Sequence, residues 1–271
     1  MTGFRHRRRP SVTAILPLAI PAHFCNSRPM LRQLLLPLSL LLLASSQAAF
    51  AADTDPSIAA PKTGNDKFFK MHESFLQRGK EGPIGLLFIG DSITEGWVKA
   101  PQVWEKFYSQ DQPANFGIGG DRTEHVLWRI ENGELDGIKP KVVVVMIGTN
   151  NSGTHTAEQI TAADRKIVAE IRQKLPDSKV LLLAIFPRGP RKAADGTIDT
   201  GEERMKKINA VNVELAKLDD GKTVRFLNIN EKFLVDGKIP DDVMPDQLHP
   251  NAKGYEIWAE AMNPLLEEMM K

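Results

Sequence analysis

Two apolar rhythms alternate along most of this chain. From Asp66 to Lys80, Phe68, Phe69, Phe75 and Leu76 recur at helical spacing and predict an amphipathic first helix. Ile84 to Ile89 is a short apolar run and predicts a strand. Val103 to Tyr108 predicts a short helix and Asn115 to Ile118 a short strand, after which Asp121 can cap a helix running through His125, Leu127 and Ile130. Lys141 to Ile147 (KVVVVMI) is apolar on both faces and reads as a central strand. A helix from Ala157 to Leu175, a strand from Lys179 to Phe186 and a Pro-, Gly- and Arg-rich loop to Thr200 follow. The pattern closes with a helix from Glu202 to Leu218, a strand from Thr223 to Ile229 and a helix from Asn251 to Met270. Strands alternating with helices imply an α/β fold, a parallel sheet covered on both faces. No internal repeat or second domain interrupts the pattern.

The first part of the chain departs from it. Met30 to Ala51 reads MLRQLLLPLSLLLLASSQAAFA, a basic start at Arg32, a Leu-rich run from Leu34 to Leu43, and Ala49-Phe50-Ala51 as an A-x-A site. These are the parts of a secretory signal peptide over residues 1–51, with cleavage expected after Ala51 and a secreted or periplasmic product. Residues 1–29 precede a second start at Met30 and read as an extended n-region or a mis-assigned upstream start. An uncleaved anchor is the alternative, because Leu34 to Ala52 carries no charge and approaches the length of a membrane span. The Ala-, Ser- and Gln-containing end favours cleavage, hence no stable membrane insertion afterwards. Residues 52–65 are small, polar and Pro-containing and read as a linker, leaving 66–271 as one folded domain.

Composition narrows the classes. The formal net charge is +1 over 271 residues, so no whole-protein field recruits nucleic acid or an anionic membrane. A chain this long buries a core without disulfides or metals. The single cysteine, Cys25, forms no internal disulfide, and without a CxxC or Cys/His cluster no structural zinc site is expected. Oligomeric state is left open.

The chemistry gathers at strand ends. Four apolar residues, Leu86 to Ile89, run straight into Gly90-Asp91-Ser92, and open α/β sheets bind ligands beyond the carboxyl ends of their strands. Asn115 to Asp121 (NFGIGGD) follows the second strand, Gly148-Thr149-Asn150-Asn151 the third, and Pro245 to Pro250 (PDQLHP) lies beyond the last. Each alone reads as a turn, a loop or a surface histidine. Together they supply the parts of acyl transfer. Ser92 can attack a carbonyl, and His249 can take its proton and return it to the leaving alcohol. Asp246, three residues earlier, can bond the other imidazole nitrogen. The developing oxyanion needs donors already in place, and a glycine amide, the Asn150 side chain and the Ser92 N–H can serve.

These four blocks resemble the SGNH hydrolases, also called GDSL lipases/esterases: Gly90-Asp91-Ser92-Ile93, Gly119-Gly120-Asp121, Gly148-Thr149-Asn150 and Asp246-x-x-His249. Ile93 replaces the Leu of the family's name. The resemblance covers Ile84 to Leu266 and is sharpest over NFGIGGDRTEHVLWRIENGELDGIKPKVVVVMIGTNN, which is similar to the catalytic subunits of platelet-activating-factor acetylhydrolase IB. It implies a three-layer α/β/α sandwich with a flavodoxin-like, five-stranded parallel sheet. It implies a serine esterase using Ser92, His249 and Asp246, with an oxyanion hole of Ser92, Gly120 and Asn150 and Gly119 as the fallback. It also implies no cofactor and a short acyl group such as acetyl, with carbohydrate O-acetyl groups the first guess. A lysophospholipase or thioesterase of the same fold, or a non-catalytic carbohydrate-binding module, is the alternative. The G-x-S-x-G elbow of α/β-hydrolases is absent, since Thr94 stands at its second glycine.

Neighbouring residues read more plainly. Asp91 caps or turns the serine loop, His125 is structural or at the surface, and Trp97 and Met244 pack in the core or at the rim rather than forming an acyl pocket. Arg188 and Arg191 can bind an anionic substrate, although loop arginines are usually solvated.

Overall fold

A computed structural model of the chain describes residues 54–192 and 196–271. The expected leader and its cleavage site lie outside the described residues. Seven strands occur among them: β1 (Leu86–Gly90), β2 (Pro113–Gly117), β3 (Val142–Met146), β4 (Lys179–Leu183), β5 (Arg191–Lys192), β6 (Ile198–Asp199) and β7 (Val224–Leu227). Five form one parallel sheet in the order β2-β1-β3-β4-β7, the doubly wound order of flavodoxin-like folds. β5 and β6 pair as a small antiparallel hairpin inside the Pro/Gly/Arg-rich loop. The helices are α1 (Asp66–Glu81), α2 (Ser92–Glu95), α3 (Pro101–Tyr108), α4 (Thr123–Arg129), α5 (Ala157–Lys174), α6 (Glu202–Leu215) and α7 (Ala252–Met270).

The strand side chains alternate between two cores. Leu87, Ile89, Val143, Val145, Val180 and Leu182 face Phe68 and Phe75 of α1, Val126 and Leu127 of α4, Ile160 and Ile167 of α5, and Ile208 and Val211 of α6. Leu86, Phe88, Val142, Val144, Leu181 and Leu183 face Trp97, Tyr108 of α3, and Trp258, Met262 and Leu266 of α7. A central strand with both faces covered has no polar side, which is why KVVVVMI carries no alternation. The expected three-layer sandwich is therefore present.

Caps fix where the helices begin. The Asn65 side chain accepts the Phe68 N–H at the start of α1, and Thr156 and Gln159 form a capping box on α5. Ser92 opens α2, a single turn too short for any apolar period to announce.

The segment 54–65 departs from the expected linker. It lies along the body as a strap. The Ala60 N–H donates to the Glu124 carbonyl, Thr123 Oγ1 donates to the Pro56 carbonyl, and Lys166 Nζ reaches the Ser57 carbonyl. Small polar residues free the backbone for such bonds, so the composition that suggests a tether also suits a docked strap.

Candidate active site

The sheet order places a switch point at β1 and β3, whose connections leave in opposite directions, and the crevice beyond their carboxyl ends is where such folds bind ligands. Ser92 stands one residue past Asp91 at the end of β1. Gly90 is required there: a Cβ on it would collide with Thr94 Oγ1 and with the Met146 carbonyl of β3 at 2.5 Å. Asp91 caps α2 by accepting the Ile93 N–H at 2.9 Å, as expected for a capping residue.

Ser92, His249 and Asp246 come together across 157 positions of sequence. Ser92 Oγ is 2.8 Å from His249 Nε2, and His249 Nδ1 is 2.6 Å from Asp246 Oδ2. A carboxylate at that distance assigns the proton to Nδ1, leaving Nε2 to accept from the serine hydroxyl. The other carboxylate oxygen of Asp246 accepts the backbone N–H of Leu248 and of His249, which shapes the turn carrying the histidine. Burial works against the Asp246 carboxylate. The His249 ring and backbone donors, with Arg191 beyond them, nevertheless hold it below the ordinary carboxylate range. Its side chain is 42% exposed, and Arg191 covers it from outside at 3.1 Å.

The candidate oxyanion donors sit on the neighbouring loops. Gly120 has φ +73°, a left-handed conformation that favours glycine. The Gly119 N–H already donates to Glu95 Oε2 at 2.5 Å. Among the described residues, the Gly120 and Ser92 N–H groups have no hydrogen-bond acceptor, so Gly120 rather than the fallback Gly119 has an amide to offer. Asn150 Nδ2 donates to the Asp121 carbonyl at 2.8 Å. Its contact with Asp91 Oδ2 is long, 3.4 Å, and can yield to a stronger acceptor.

Residues that the sequence did not single out hold this loop. Lys62, on the strap, donates to the Gly119 carbonyl at 2.8 Å and pairs with Asp121 Oδ1 at 2.7 Å. Glu95 is in turn paired with Lys67 at 2.6 Å. Arg129, fully buried, donates to Asp121 at 3.0 Å, to the Phe116 carbonyl at 3.1 Å and to the Glu134 carboxylate. Two charges opposite Asp121 counter the upward push of its burial. Burial drives Asp91 up to about 7, against the pull of the Ile93 N–H and with the help of Asp121 nearby.

The other sequence candidates separate. His125 is structural: its Nδ1 accepts the Arg122 N–H at 2.9 Å, and burial with Lys62, Arg122 and Arg129 nearby pushes it down to about 3, so it is neutral at pH 7. Trp97 and Met244 are core residues, 1% and 0% exposed. Arg191 meets Asp246 and Arg188 is buried, so neither is a freely solvated loop residue. No group of acidic, His or Cys side chains that could hold a metal ion, and no helix long and apolar enough to cross a membrane, occurs among the described residues.

Residues 88–257 match the profile of the GDSL-like lipase/acylhydrolase family. The chain is 35% identical over 208 residues to the platelet-activating factor acetylhydrolase IB subunit alpha1 of Bos taurus, spanning 76% of this chain and 85% of the relative. It is 36% identical over 218 residues to the alpha2 subunit of Rattus norvegicus, spanning 80% and 90%. The fold is similar to that of a GDSL-like lipase from Bacteroides thetaiotaomicron, with a TM-score of 0.57 and 17% identity over 73% of this chain and 97% of the other.

Proposed function

This chain belongs to the GDSL-like lipase/acylhydrolase family, and we propose that within it the protein is a serine esterase removing short acyl groups, acetyl first, from carbohydrate hydroxyls. It is a carboxylic ester hydrolase; the triad, the acyl preference and the carbohydrate are our reading. The observation that carries the triad is the relay of short contacts, Ser92 Oγ to His249 Nε2 at 2.8 Å and His249 Nδ1 to Asp246 at 2.6 Å.

In this mechanism Ser92 Oγ attacks the ester carbonyl while its proton passes to His249 Nε2. Asp246 keeps the imidazole in the required tautomer and stabilises the imidazolium. The carbonyl oxygen, now negative, is received by the Ser92 and Gly120 N–H groups and Asn150 Nδ2. His249 returns its proton to the departing alcohol, leaving an acetyl-serine. Water, deprotonated by the same imidazole, then attacks the acyl carbon, acetate departs and Ser92 Oγ recovers its proton.

Two features support a small acyl group and a large polar alcohol. The apolar residues nearest in sequence to a possible acyl slot, Trp97 and Met244, are sealed in the core, so they offer no surface to a long chain. The outer side is polar and open, with Asp246 42% exposed beside Arg191. The test is p-nitrophenyl acetate hydrolysis by wild type and Ser92→Ala. Wild type should release a burst of p-nitrophenol with a stoichiometry approaching one per enzyme, and the variant should lose turnover by about a thousandfold or more. Equal slow hydrolysis by both would end the serine-esterase reading. Across acetyl to decanoyl esters the optimum should fall at acetyl or propionyl, and a peak at octanoyl or beyond would remove the short-acyl claim.

A further inference from the structure

The middle residue of β2 carries a side chain that the acyl-transfer machinery does not use. Asn115 lies between Ala114 and Phe116, which are buried in the core that α1 and α4 cover. A strand alternates its side chains, so Asn115 points to the opposite face of the sheet, toward α2. There its amide is used at both ends. Nδ2 donates to the Thr94 carbonyl of α2 at 2.8 Å, and Oδ1 accepts the Gly117 N–H at 2.9 Å. A planar amide carries a donor and an acceptor at a fixed separation, which suits it to such a bridge.

Both ends of the bridge lead to the reacting centre. α2 is one turn, begins with Ser92 and is too short to be stable alone. Two of its carbonyls are held from outside: the Tyr255 hydroxyl of α7 donates to that of Ile93 at 2.7 Å, and Asn115 holds that of Thr94. Gly117 is the last residue of β2. A Cβ on it would run into the Glu95 backbone nitrogen, so the strand end and α2 lie in direct contact. One residue on, Ile118 donates its N–H to the Gly90 carbonyl at 3.2 Å, and its own carbonyl accepts the Asp121 N–H at 3.0 Å. The second bond closes the four-residue turn that presents Gly120. The nucleophile and the candidate oxyanion glycine thus leave from the two sides of the Asn115 amide.

We propose that Asn115 is a positioning residue for acyl transfer, its side-chain amide setting the spacing between Ser92 Oγ and the Gly120 N–H. The inference rests on the esterase reading above. Ser92 Oγ must reach the acyl carbon while the carbonyl oxygen lies within hydrogen-bond reach of Gly120. An error in that spacing weakens the second contact as the tetrahedral centre forms. Asn115 touches neither substrate nor reacting atoms. Its loss therefore acts on turnover and leaves ground-state binding alone.

The test compares wild type with two variants. Asn115→Ala removes both ends of the bridge. Asn115→Asp keeps an acceptor for the Gly117 N–H and sets a second acceptor against the Thr94 carbonyl. Folding is checked by circular dichroism. In each folded variant kcat for p-nitrophenyl acetate should fall by about ten- to a hundredfold, with KM changed by less than about twofold. Methylboronic acid supplies a readout that a merely structural role would not move. Ser92 Oγ adds to its boron as the hydroxyl proton passes to His249, and the tetrahedral anion takes the place of the transition state. Its inhibition constant should rise in each variant in step with the loss in kcat/KM.

A folded variant with kcat within about twofold of wild type overturns the proposal. So does one that raises KM with kcat intact, which gives Asn115 a substrate contact instead. A loss of kcat with inhibition by methylboronic acid unchanged also overturns it. If neither variant folds, Asn115 is a structural residue and the proposal falls. If wild type hydrolyses p-nitrophenyl acetate through Ser92 and the Asn115 variants match it, only this inference falls. If wild type hydrolyses no ester, the esterase reading falls and this inference with it.

Discussion

At the scale of single residues, Asp91 carries an unusual proton balance. Its carboxyl is buried and pushed from an ordinary 3.8 up to about 7. A group raised in this way contributes stability that is complete below its unfolded value and is lost as pH rises through its folded value. Asp91→Asn keeps an oxygen for the Ile93 N–H and carries no charge. The variant should therefore gain on wild type in urea unfolding between about pH 4 and about pH 8, by a few kcal/mol at most. A difference that stays constant over that range would mean Asp91 is ionised in the fold throughout. Glu95 acts by positioning, through the Gly119 N–H that it accepts. Glu95→Ala should lower kcat by about ten- to a hundredfold with KM little changed, less than the loss of an oxyanion donor outright. A matching rise in KM with kcat intact would instead give Glu95 a substrate contact. Ser92, His249 and Asp246 were legible because their residue types have few reasons to gather at strand ends. Lys62, Glu95 and Arg129 were not, because a lone charged residue in a sequence reads as solvated. Lys62 and Glu95 also lie far from the glycine they hold, 57 and 24 positions from Gly119.

At the scale of elements, the end of β1 shows how the sheet and the charged network depend on each other. Arg129 at the end of α4 reaches the Phe116 carbonyl of β2, the Gly90 carbonyl of β1 at 3.4 Å, and both Asp121 and Glu134. Arg129→Met would leave the buried Glu134 carboxylate without its arginine and Asp121 with Lys62 alone. It should cost about 3–5 kcal/mol in urea unfolding, as breaking a buried pair from one side does. A loss below about 1 kcal/mol would mean the acids take up protons and need no partner. The strands themselves were readable from apolar runs, to within a few residues at their ends. The single turn of α2 and the β5–β6 hairpin were not. Each is too short to show a period, and the hairpin sits in a stretch whose Pro and Gly content reads as loop.

At the scale of the whole molecule, the parallel sheet and its two cores were legible as a rhythm of buried strands and half-buried helices. The strap at 54–65 was not, because docking against α4 and α5 leaves no pattern in a short polar segment. Its removal is the decisive comparison. A chain beginning at Asn65 keeps every helix and sheet strand, yet lacks Lys62 and its bonds to Gly119 and Asp121. It should fold with a lower Tm and lose about tenfold or more in kcat/KM relative to a chain beginning at Thr54, since the Gly119 carbonyl of the candidate oxyanion loop loses its donor and Asp121 keeps Arg129 alone as its counter-charge. Equal activity would make the strap a passive cover. The strap is also a mechanical connection. Tension applied at the amino end loads its few bonds in sequence, from the Thr54 carbonyl held by His155 to the Gly119 carbonyl held by Lys62, and peels them one at a time. The hydrogen-bonded sheet strands bear no load until those are gone. An enzyme pulled by its amino end would therefore lose the geometry of its candidate oxyanion loop before its fold.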